Sequence, residues 1–215
     1  MPLKTIIFVR HAQSVSNAGG LTLPHHEIPL TDFGQRQALT LAGLLDVTPS
    51  KVVVSAMIRT HLTAQPFCER FGVKLEVDPG LDEFSVIDPA LIQGMDGPQR
   101  KPFVKAYWDD PDRQKRMGQG ADTFAEFEAR VGAFMTTMDT LPEHTVLFGH
   151  GTWFGLMFWK MLGYDANSPE AMRAFRRCQQ NMPMPNCAVF RLTWNTGGHW
   201  SVKAVPEIPK ALLLV

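Results

Sequence analysis

Basic side chains follow three apolar segments of this 215-residue chain, where each segment ends. Arg10 and His11 follow the first segment, Ser55 and then Arg59 follow the second, and His150 follows the third. Guanidinium groups match phosphate oxygens in pairs, and no run of carboxylates stands nearby in the sequence. If the three segments are neighbouring parallel strands, these residues meet beyond one edge of a sheet. Their types then predict a phosphate-binding site.

The segments that must position these residues alternate between strand and helix patterns. Continuous β-branched, apolar runs predict buried strands at 5–9, 51–56 and 144–150. Helical patterns cover 30–45, 59–71, 122–138 and 152–162, and a terminal hairpin is predicted at 187–194 and 200–205. We therefore expect an α/β fold, a three-layer α/β/α sandwich with a mostly parallel central sheet and helices on both faces.

Capping residues mark two of the predicted helices. Thr31 stands at the N-cap position of the first helix, before a stripe that includes Leu41. Thr123 and Glu126 have the spacing of a capping box at the start of the helix within 122–138. These signals fix where both helices should begin.

The composition is that of an ordinary globular chain, and we expect one domain over 1–215. Hydrophobic residues make up 45% and charged residues 20%, with 21 basic and 21 acidic side chains. This balance argues against nucleic-acid or membrane partners. The apolar N-terminal stretch ends at Arg10, no run of about 18 apolar residues exists, and the three cysteines lack C-x-x-C spacing. A cytoplasmic location is expected, and a homodimer is possible.

The segment 84–121 is rich in turn formers and charge. It predicts either a lid or specificity insertion over the site, which we favour, or a solvated connection with one short helix. Six basic residues there could contact a second anionic group of a substrate: Arg100, Lys101, Lys105, Arg113, Lys115 and Arg116. Aspartates at 109, 110 and 112 are interspersed, so a solvated charged face is an equal alternative.

Five motifs in chain order carry a resemblance to a known family. VRHAQSVSN (9–17) resembles R-H-G-[EQ]-[ST]-x-x-N, and PLTDFGQRQA (29–38) resembles L-T-x-x-G-x-x-Q-A. VVVSAMIRTHLTA (52–64), LDE (81–83) and VLFGHG (146–151) continue the series. The chain thus resembles the histidine phosphatase superfamily, which includes the phosphoglycerate mutases, from Thr5 to about Leu192.

The resemblance implies a role for each matching residue. His11 would be the nucleophile that takes up the phosphoryl group, and Glu83 would protonate the leaving oxygen and then deprotonate water. The phosphoryl oxygens would be bound by Arg10, Asn17, Arg59 and His150. A small phosphorylated substrate is implied, and no metal or other cofactor is required, because these cations supply the positive charge.

Two positions depart from the family pattern or compete with it. Ala12 stands where the family usually has glycine, and its Cβ could crowd the phosphate, although we expect activity to survive. Glu83 has Asp82 beside it and Asp88 nearby, so a solvated loop carboxylate is the alternative to the proton donor.

The motifs favour hydrolysis over mutase chemistry. Glu83 is followed by FSVIDPALIQGMDG rather than the E-R-x-Y-G type of segment expected of a mutase. The sequence therefore predicts a metal-independent phosphomonoester hydrolase that acts through phosphohistidine on a small phosphorylated metabolite. A mutase-type phosphoryl transfer and a non-catalytic phospho-ligand binder stay open as alternatives.

Three other classes of protein fit the sequence poorly. GHGTWFG after a strand has its third glycine one position late for a dinucleotide-binding motif, and no G-x-S-x-G elbow of a serine hydrolase occurs. His25, His26 and Glu27 lack the H-E-x-x-H spacing of a zinc site and lie beside Pro24. We expect these histidines to border the crevice or to face solvent.

Overall fold

A computed structural model of the protein describes residues 4–182 and 184–212. Its single sheet has the strand order β3-β2-β4-β1-β5-β6. The strands are Lys4–Arg10 (β1), Lys51–Val54 (β2), Leu75–Val77 (β3), Thr145–Gly149 (β4), Val189–Trp194 (β5) and Trp200–Ala204 (β6).

Seven α-helices surround the sheet in the described part of the chain. They are Asp32–Leu44 (α1), Ile58–Phe71 (α2), Gly97–Asp109 (α3), Phe124–Met135 (α4), Gly151–Met161 (α5), Pro169–Asn181 (α6) and Glu207–Ala211 (α7). Three 3-10 turns span His25–Glu27, Pro79–Leu81 and Pro89–Ile92. No helix within residues 4–182 or 184–212 has both the length and the apolar character needed to cross a membrane.

The register of the two central strands sets the two motif histidines side by side. β1 and β4 are parallel, and Arg10 is paired with Gly149 across the ladder. His11 and His150 are the next residues of their strands, so both leave the sheet at the same edge. The backbone N–H of His11 donates to the Gly149 carbonyl at 3.0 Å, which holds this alignment past the end of the ladder.

Alternate residues of the strands face two separate cores. Ile6 and Phe8 of β1 pack into the cluster that holds the apolar faces of α4, α5 and α6. Ile7 and Val9 face the opposite cluster, which holds those of α1 and α2. Strands buried on both faces need helices on both sides of the sheet. The prediction of a three-layer α/β/α fold is confirmed.

The sheet is mixed in the predicted way. β3, β2, β4 and β1 run parallel, while β5 and β6 form an antiparallel pair at the β1 edge. Both predicted caps are present: Thr31 accepts from the N–H of Gly34, and Thr123 and Glu126 form the capping box of α4.

The structure adds elements that sequence patterns did not reveal. β3 and α6 were not predicted, and the segment 84–121 contains α3, a helix of 13 residues rather than a short one. The first strand reaches Arg10 instead of ending at residue 9. The segment 84–121 packs against the loop after β1, because Gly97 donates to the Gly19 carbonyl at 2.8 Å and Arg100 donates to the Gly20 carbonyl at 2.7 Å.

Candidate active site

His11 lies at the carboxyl end of β1 and is 4% exposed. Its Nδ1 is 2.7 Å from the backbone oxygen of Ala12. A carbonyl only accepts, so Nδ1 carries the proton and Nε2 of the neutral ring has the free electron pair. Nε2 has no hydrogen-bond partner within residues 4–182 and 184–212, which leaves it available to a ligand.

The surroundings of His11 keep its ring neutral. Burial lowers the pKa of His11 well below its usual 6.5, and the guanidinium groups of Arg59 and Arg10 lower it further. A protonated imidazole has no free electron pair and cannot attack an electrophile. The same cations that suit phosphate therefore preserve the nucleophilic form of the ring.

Backbone carbonyls, rather than carboxylates, hold the two arginines. Arg10 donates through Nη1 to the Met184 carbonyl, and Arg59 donates through Nη1 to the His25 carbonyl at 2.9 Å. Neither arginine has a carboxylate within salt-bridge distance in the described part of the chain. Burial lowers the pKa of both and brings that of Arg59 to about 10, so both are charged at neutral pH.

His150 is fully buried and is oriented by one hydroxyl. Its Nε2 is 2.8 Å from Ser55 Oγ, which in turn is 3.0 Å from Thr60 Oγ1. The His150 and His11 ring centroids are 5.2 Å apart. His150 Nδ1 and Arg10 Nε are buried nitrogens without a hydrogen-bond partner among the described residues. Buried polar groups normally have partners, and a phosphoryl oxygen would supply one to each.

Glu83 lies at the start of α5, and its hydrogen-bond partners differ from those of its neighbour Asp82. Glu83 Oε2 accepts from the N–H of Thr152 at 2.9 Å, and Oε1 accepts from the N–H of Trp153 at 2.9 Å. Asp82 instead accepts from the N–H of Ala56 at 2.7 Å. Since α5 begins directly after His150, Glu83 is the carboxylate positioned beside the second histidine.

The Asn17 amide is oriented with its oxygen towards neighbouring residues of the protein. Its Oδ1 accepts from the N–H and the hydroxyl of Ser14 and from Asn186 Nδ2 at 2.9 Å. These contacts occupy the amide oxygen and leave the NH₂ group as the donor to a ligand. Asn186 also donates to the His11 carbonyl at 3.1 Å, which connects Asn17 to the backbone of His11.

The loop after β1 accommodates Ala12 without strain. The Ala12 backbone is outside the left-handed region, and its side chain is fully buried in the core cluster beneath α1 and α2. Its N–H donates to Thr63 Oγ1 at 3.0 Å. A glycine is needed instead at Gly34, where a Cβ would stand 2.0 Å from the Gln13 carbonyl oxygen. The start of α1 thus packs directly on this loop.

The segment His25–Glu27 borders the site through its backbone. The His25 carbonyl accepts from Arg59, and the His25 ring contacts the Ile87 carbonyl at 2.9 Å. His26 is exposed. Within the described residues, no group of three or more His, Cys, Asp or Glu side chains lies close enough to hold a metal ion.

The six basic residues of the 84–121 segment divide into two sets. Arg113, Lys115 and Arg116 contact Glu128, Asp110 and Glu126, respectively. Arg100, Lys101 and Lys105 instead line a cleft beside Asn17. The first set is paired with carboxylates; in the second set Lys105 is paired with Asp109, whereas Arg100 and Lys101 have no carboxylate partner among the described residues.

The structure brings all six predicted site residues to the carboxyl edge of the parallel strands or the loops above it. Other groups explain their positions: Ser55, which the sequence placed at this edge without a role, and Asn186, the Met184 carbonyl and the N–H groups of Thr152 and Trp153, which were not assigned. Ser55 had a readable signal, because it follows the second strand directly. The backbone groups had none.

Comparisons with known proteins agree with this arrangement. A family model described as "Histidine phosphatase superfamily (branch 1)" matches residues 6–207. The named relatives include a "Probable phosphoglycerate mutase GpmB" from Erwinia tasmaniensis, 23% identical over 94% of this chain and 93% of its own. They also include an "Adenosylcobalamin/alpha-ribazole phosphatase" from Salmonella typhimurium, 27% identical over 79% of this chain and 85% of its own.

Solved structures share the fold at low sequence identity. A mycobacterial glucosyl-3-phosphoglycerate phosphatase superimposes with a TM-score of 0.70, at 20% identity, over 94% of this chain and 98% of its own. The alpha-ribazole phosphatase from Shigella flexneri gives a TM-score of 0.72 at 19% identity, over 93% of this chain and 95% of its own.

Proposed function

Because this chain belongs to the histidine phosphatase superfamily, as its motifs predicted, we propose that it hydrolyses phosphomonoesters through a phosphohistidine at His11. One observation carries the proposal. The buried His11 ring donates through Nδ1 to the Ala12 carbonyl, so Nε2 keeps a free electron pair, and the guanidinium groups of Arg59 and Arg10 are near enough to lower the pKa of the ring. A nucleophile surrounded by cations without carboxylate partners suits the transfer of a dianionic group.

In the first step, His11 Nε2 forms a bond to phosphorus while the ester P–O bond breaks. Arg10 and Arg59 neutralise the charge that spreads over the phosphoryl oxygens. His150 Nδ1 and the Asn17 amide supply further donors. Glu83 gives its proton to the leaving oxygen, so the alcohol departs neutral and the glutamate is left ionised.

In the second step, Glu83 takes a proton from water as the water oxygen attacks phosphorus. The P–N bond breaks, and inorganic phosphate and the neutral His11 ring are formed. The proton returns to the carboxyl group that lost it, so the cycle balances. The N–H groups of Thr152 and Trp153 hold Glu83 in place for both transfers.

We propose hydrolysis rather than mutase chemistry because of the residues that follow Glu83. Phe84 and Ile87 of this stretch are buried, and the stretch does not have the E-R-x-Y-G type of segment that resemblance to a mutase would lead us to expect. Relatives named as phosphatases and as mutases both occur, so a direct assay must separate the two.

The test is phosphate release from a panel of phosphoesters with EDTA present, comparing wild type with His11→Ala. The panel contains 4-nitrophenyl phosphate, 3-phosphoglycerate, sugar phosphates and nucleotides. We expect phosphate release that is insensitive to EDTA and absent in the variant. After rapid quenching with a substrate labelled in its phosphate group, His11 of the wild type should carry a phosphoryl label that is lost in acid and stable in alkali.

Two results would overturn the proposal. Release that persists in His11→Ala would mean another nucleophile. Interconversion of 2- and 3-phosphoglycerate with no phosphate released would mean a mutase. The variant's circular dichroism spectrum and melting temperature serve as the folding control.

A further inference from the structure

A basic cleft opens between α3 and α6, beside the loop after β1. Its volume is about 880 Å³, and Ser16 and Asn17 form one end of its lining. Six of its side chains are basic, three from each helix: Arg100, Lys101, Lys105, Arg173, Arg176 and Arg177. Asp109 is its single acidic lining residue. The formal charge of the whole chain is zero, so this cleft concentrates positive charge that is balanced elsewhere.

Most of these cations have no carboxylate partner. Within the described residues only Lys105, with Asp109 at 2.5 Å, and Arg173, with Glu170 at 3.6 Å, form ion pairs. Arg100, Lys101, Arg176 and Arg177 have none. Like charges facing each other across a cleft raise the free energy of the folded protein unless an anion lies between them.

The guanidinium group of Arg176 is held in place by two neighbouring side chains. Its guanidinium carbon lies 4.9 Å from the centre of the buried Trp108 ring, and Nη1 donates to Gln179 at 2.5 Å. Its Nε is a buried nitrogen without a partner among the described residues. A guanidinium held over an aromatic ring is fixed in position at the cleft, which suits an anionic ligand.

The cleft is connected to the site of phosphoryl transfer. Asn17 lines it, and Asn17 Oδ1 accepts from Asn186, which donates to the His11 carbonyl. Asn17 therefore belongs both to the lining of the cleft and to the proposed phosphoryl-transfer site, and a substrate bound at both places would pass it. The volume lies in the range of small-molecule pockets.

We infer that the basic cleft binds a second phosphate group, so that the substrate is a small molecule with two phosphate groups, one of which is removed at His11. This inference rests on the proposed function and narrows its substrate class. Phosphate is favoured over a carboxylate because six basic side chains and one acidic side chain line the cleft, and a phosphate group carries up to two negative charges where a carboxylate carries one.

The test uses 1,n-alkanediol bisphosphates with three to eight carbons and the matching monophosphates. Both ends of each bisphosphate are equivalent, so kcat/KM is compared per phosphate group. We expect the bisphosphate to be preferred by at least tenfold at the best chain length, and the preference to shrink as salt rises. Equal kcat/KM at every length would overturn the inference.

Two double variants test whether the preference for the bisphosphate depends on the cleft. Lys101→Gln with Arg177→Gln should lower the preference about tenfold. Lys115→Gln with Lys203→Gln removes the same charge outside the cleft and should change it less than twofold. An equal loss in both pairs would indicate a general charge effect and would contradict a specific site.

A binding measurement separates this inference from the proposed function. Calorimetric titration of His11→Ala with the same compounds needs no turnover. Tighter binding of the bisphosphate would support the second phosphate site even if the wild type releases no phosphate. The absence of phosphate release would contradict only the proposed hydrolysis. Equal affinities for bisphosphate and monophosphate would refute the second phosphate site.

Discussion

Glu83 is bound to the helix that begins at His150. Both carboxylate oxygens accept from backbone N–H groups in the first turn of α5, at 2.9 Å from Thr152 and Trp153. The N-terminus of a helix carries partial positive charge that favours a carboxylate there. The proposed acid–base residue and the second histidine are therefore fixed relative to each other, although they belong to different segments of the chain.

Glu83→Gln should slow the hydrolysis of poor leaving groups most. A glutamine neither donates the proton nor accepts from both N–H groups through its single oxygen. We expect kcat/KM to fall about a hundredfold or more for alkyl phosphates and clearly less for 4-nitrophenyl phosphate.

Asp82→Asn is the matched control for this prediction, because Asp82 accepts from Ala56 instead. It should preserve the dependence of the rate on the leaving group. Equal slowing of both substrate types by Glu83→Gln would remove Glu83 from proton transfer.

Lowering the pH should destabilise the fold through His11. Its pKa is well below 6.5 in the folded protein, while in the unfolded chain it takes up a proton near pH 6.5. The stability that His11 contributes is thus complete above pH 6.5 and falls as the pH drops below it, by at most about 1.4 kcal/mol per pH unit. Urea unfolding at pH 7.5, 6.0 and 5.0 measures this slope.

His11→Ala should show a shallower slope than wild type below pH 6.5. The control is His199→Ala, which removes an exposed histidine in the turn between β5 and β6. Identical slopes in wild type and His11→Ala would mean that folding does not lower the pKa of His11.

Ser55→Ala should impair the reaction without unfolding the protein. It removes the hydroxyl 2.8 Å from His150 Nε2 and frees the imidazole to change its tautomer. We expect kcat/KM to fall about two- to tenfold, the effect of one net hydrogen bond. Ser50→Ala, which removes a hydroxyl bound to the Glu143 carbonyl, should leave kcat/KM unchanged. A matching fall in Ser50→Ala would show a general effect on stability instead.

Gly34→Ala should displace the loop that follows β1. Its Cβ would stand 2.0 Å from the Gln13 carbonyl oxygen, a backbone atom that cannot rotate away. We expect a loss of about 1–3 kcal/mol in the free energy of unfolding and weaker binding of inorganic phosphate. Gly43→Ala, in the same helix but with no atom within 4 Å of the new Cβ, should be neutral or stabilising by up to about 1 kcal/mol. Equal stability of the two variants would contradict the close packing.

Much of the fold followed from the sequence because its strands are buried on both faces. β1 and β4 read as continuous apolar runs, and the rule that ligands bind beyond the carboxyl ends of parallel strands brought Arg10, His11 and His150 together. β3 was missed because it has three residues, two of them exposed at the sheet edge. α6 buries only Met172 and Phe175, although Ser168 and Pro169 marked its start.

The precise positions of the site residues depend on groups that residue types do not encode. Arg10 is held by the Met184 carbonyl, and Glu83 by two backbone N–H groups. Every residue has these groups, so only tertiary structure reveals which of them are used. The basic cleft was also hidden, because α6, which supplies three of its cations, was not predicted.

Anchoring Arg10 and Arg59 on carbonyls has a consequence for the stability of the protein as a whole. A carbonyl orients a guanidinium group but leaves its full charge in place, so these two buried cations repel each other. Glu83 and Asp82 act on Arg59 without direct contact, whereas a bound dianionic phosphate group would add counter-charge in direct contact with both arginines. Ligand binding and folding are thus linked in this enzyme: a phosphate analogue that fits the site should also act as a thermal stabiliser.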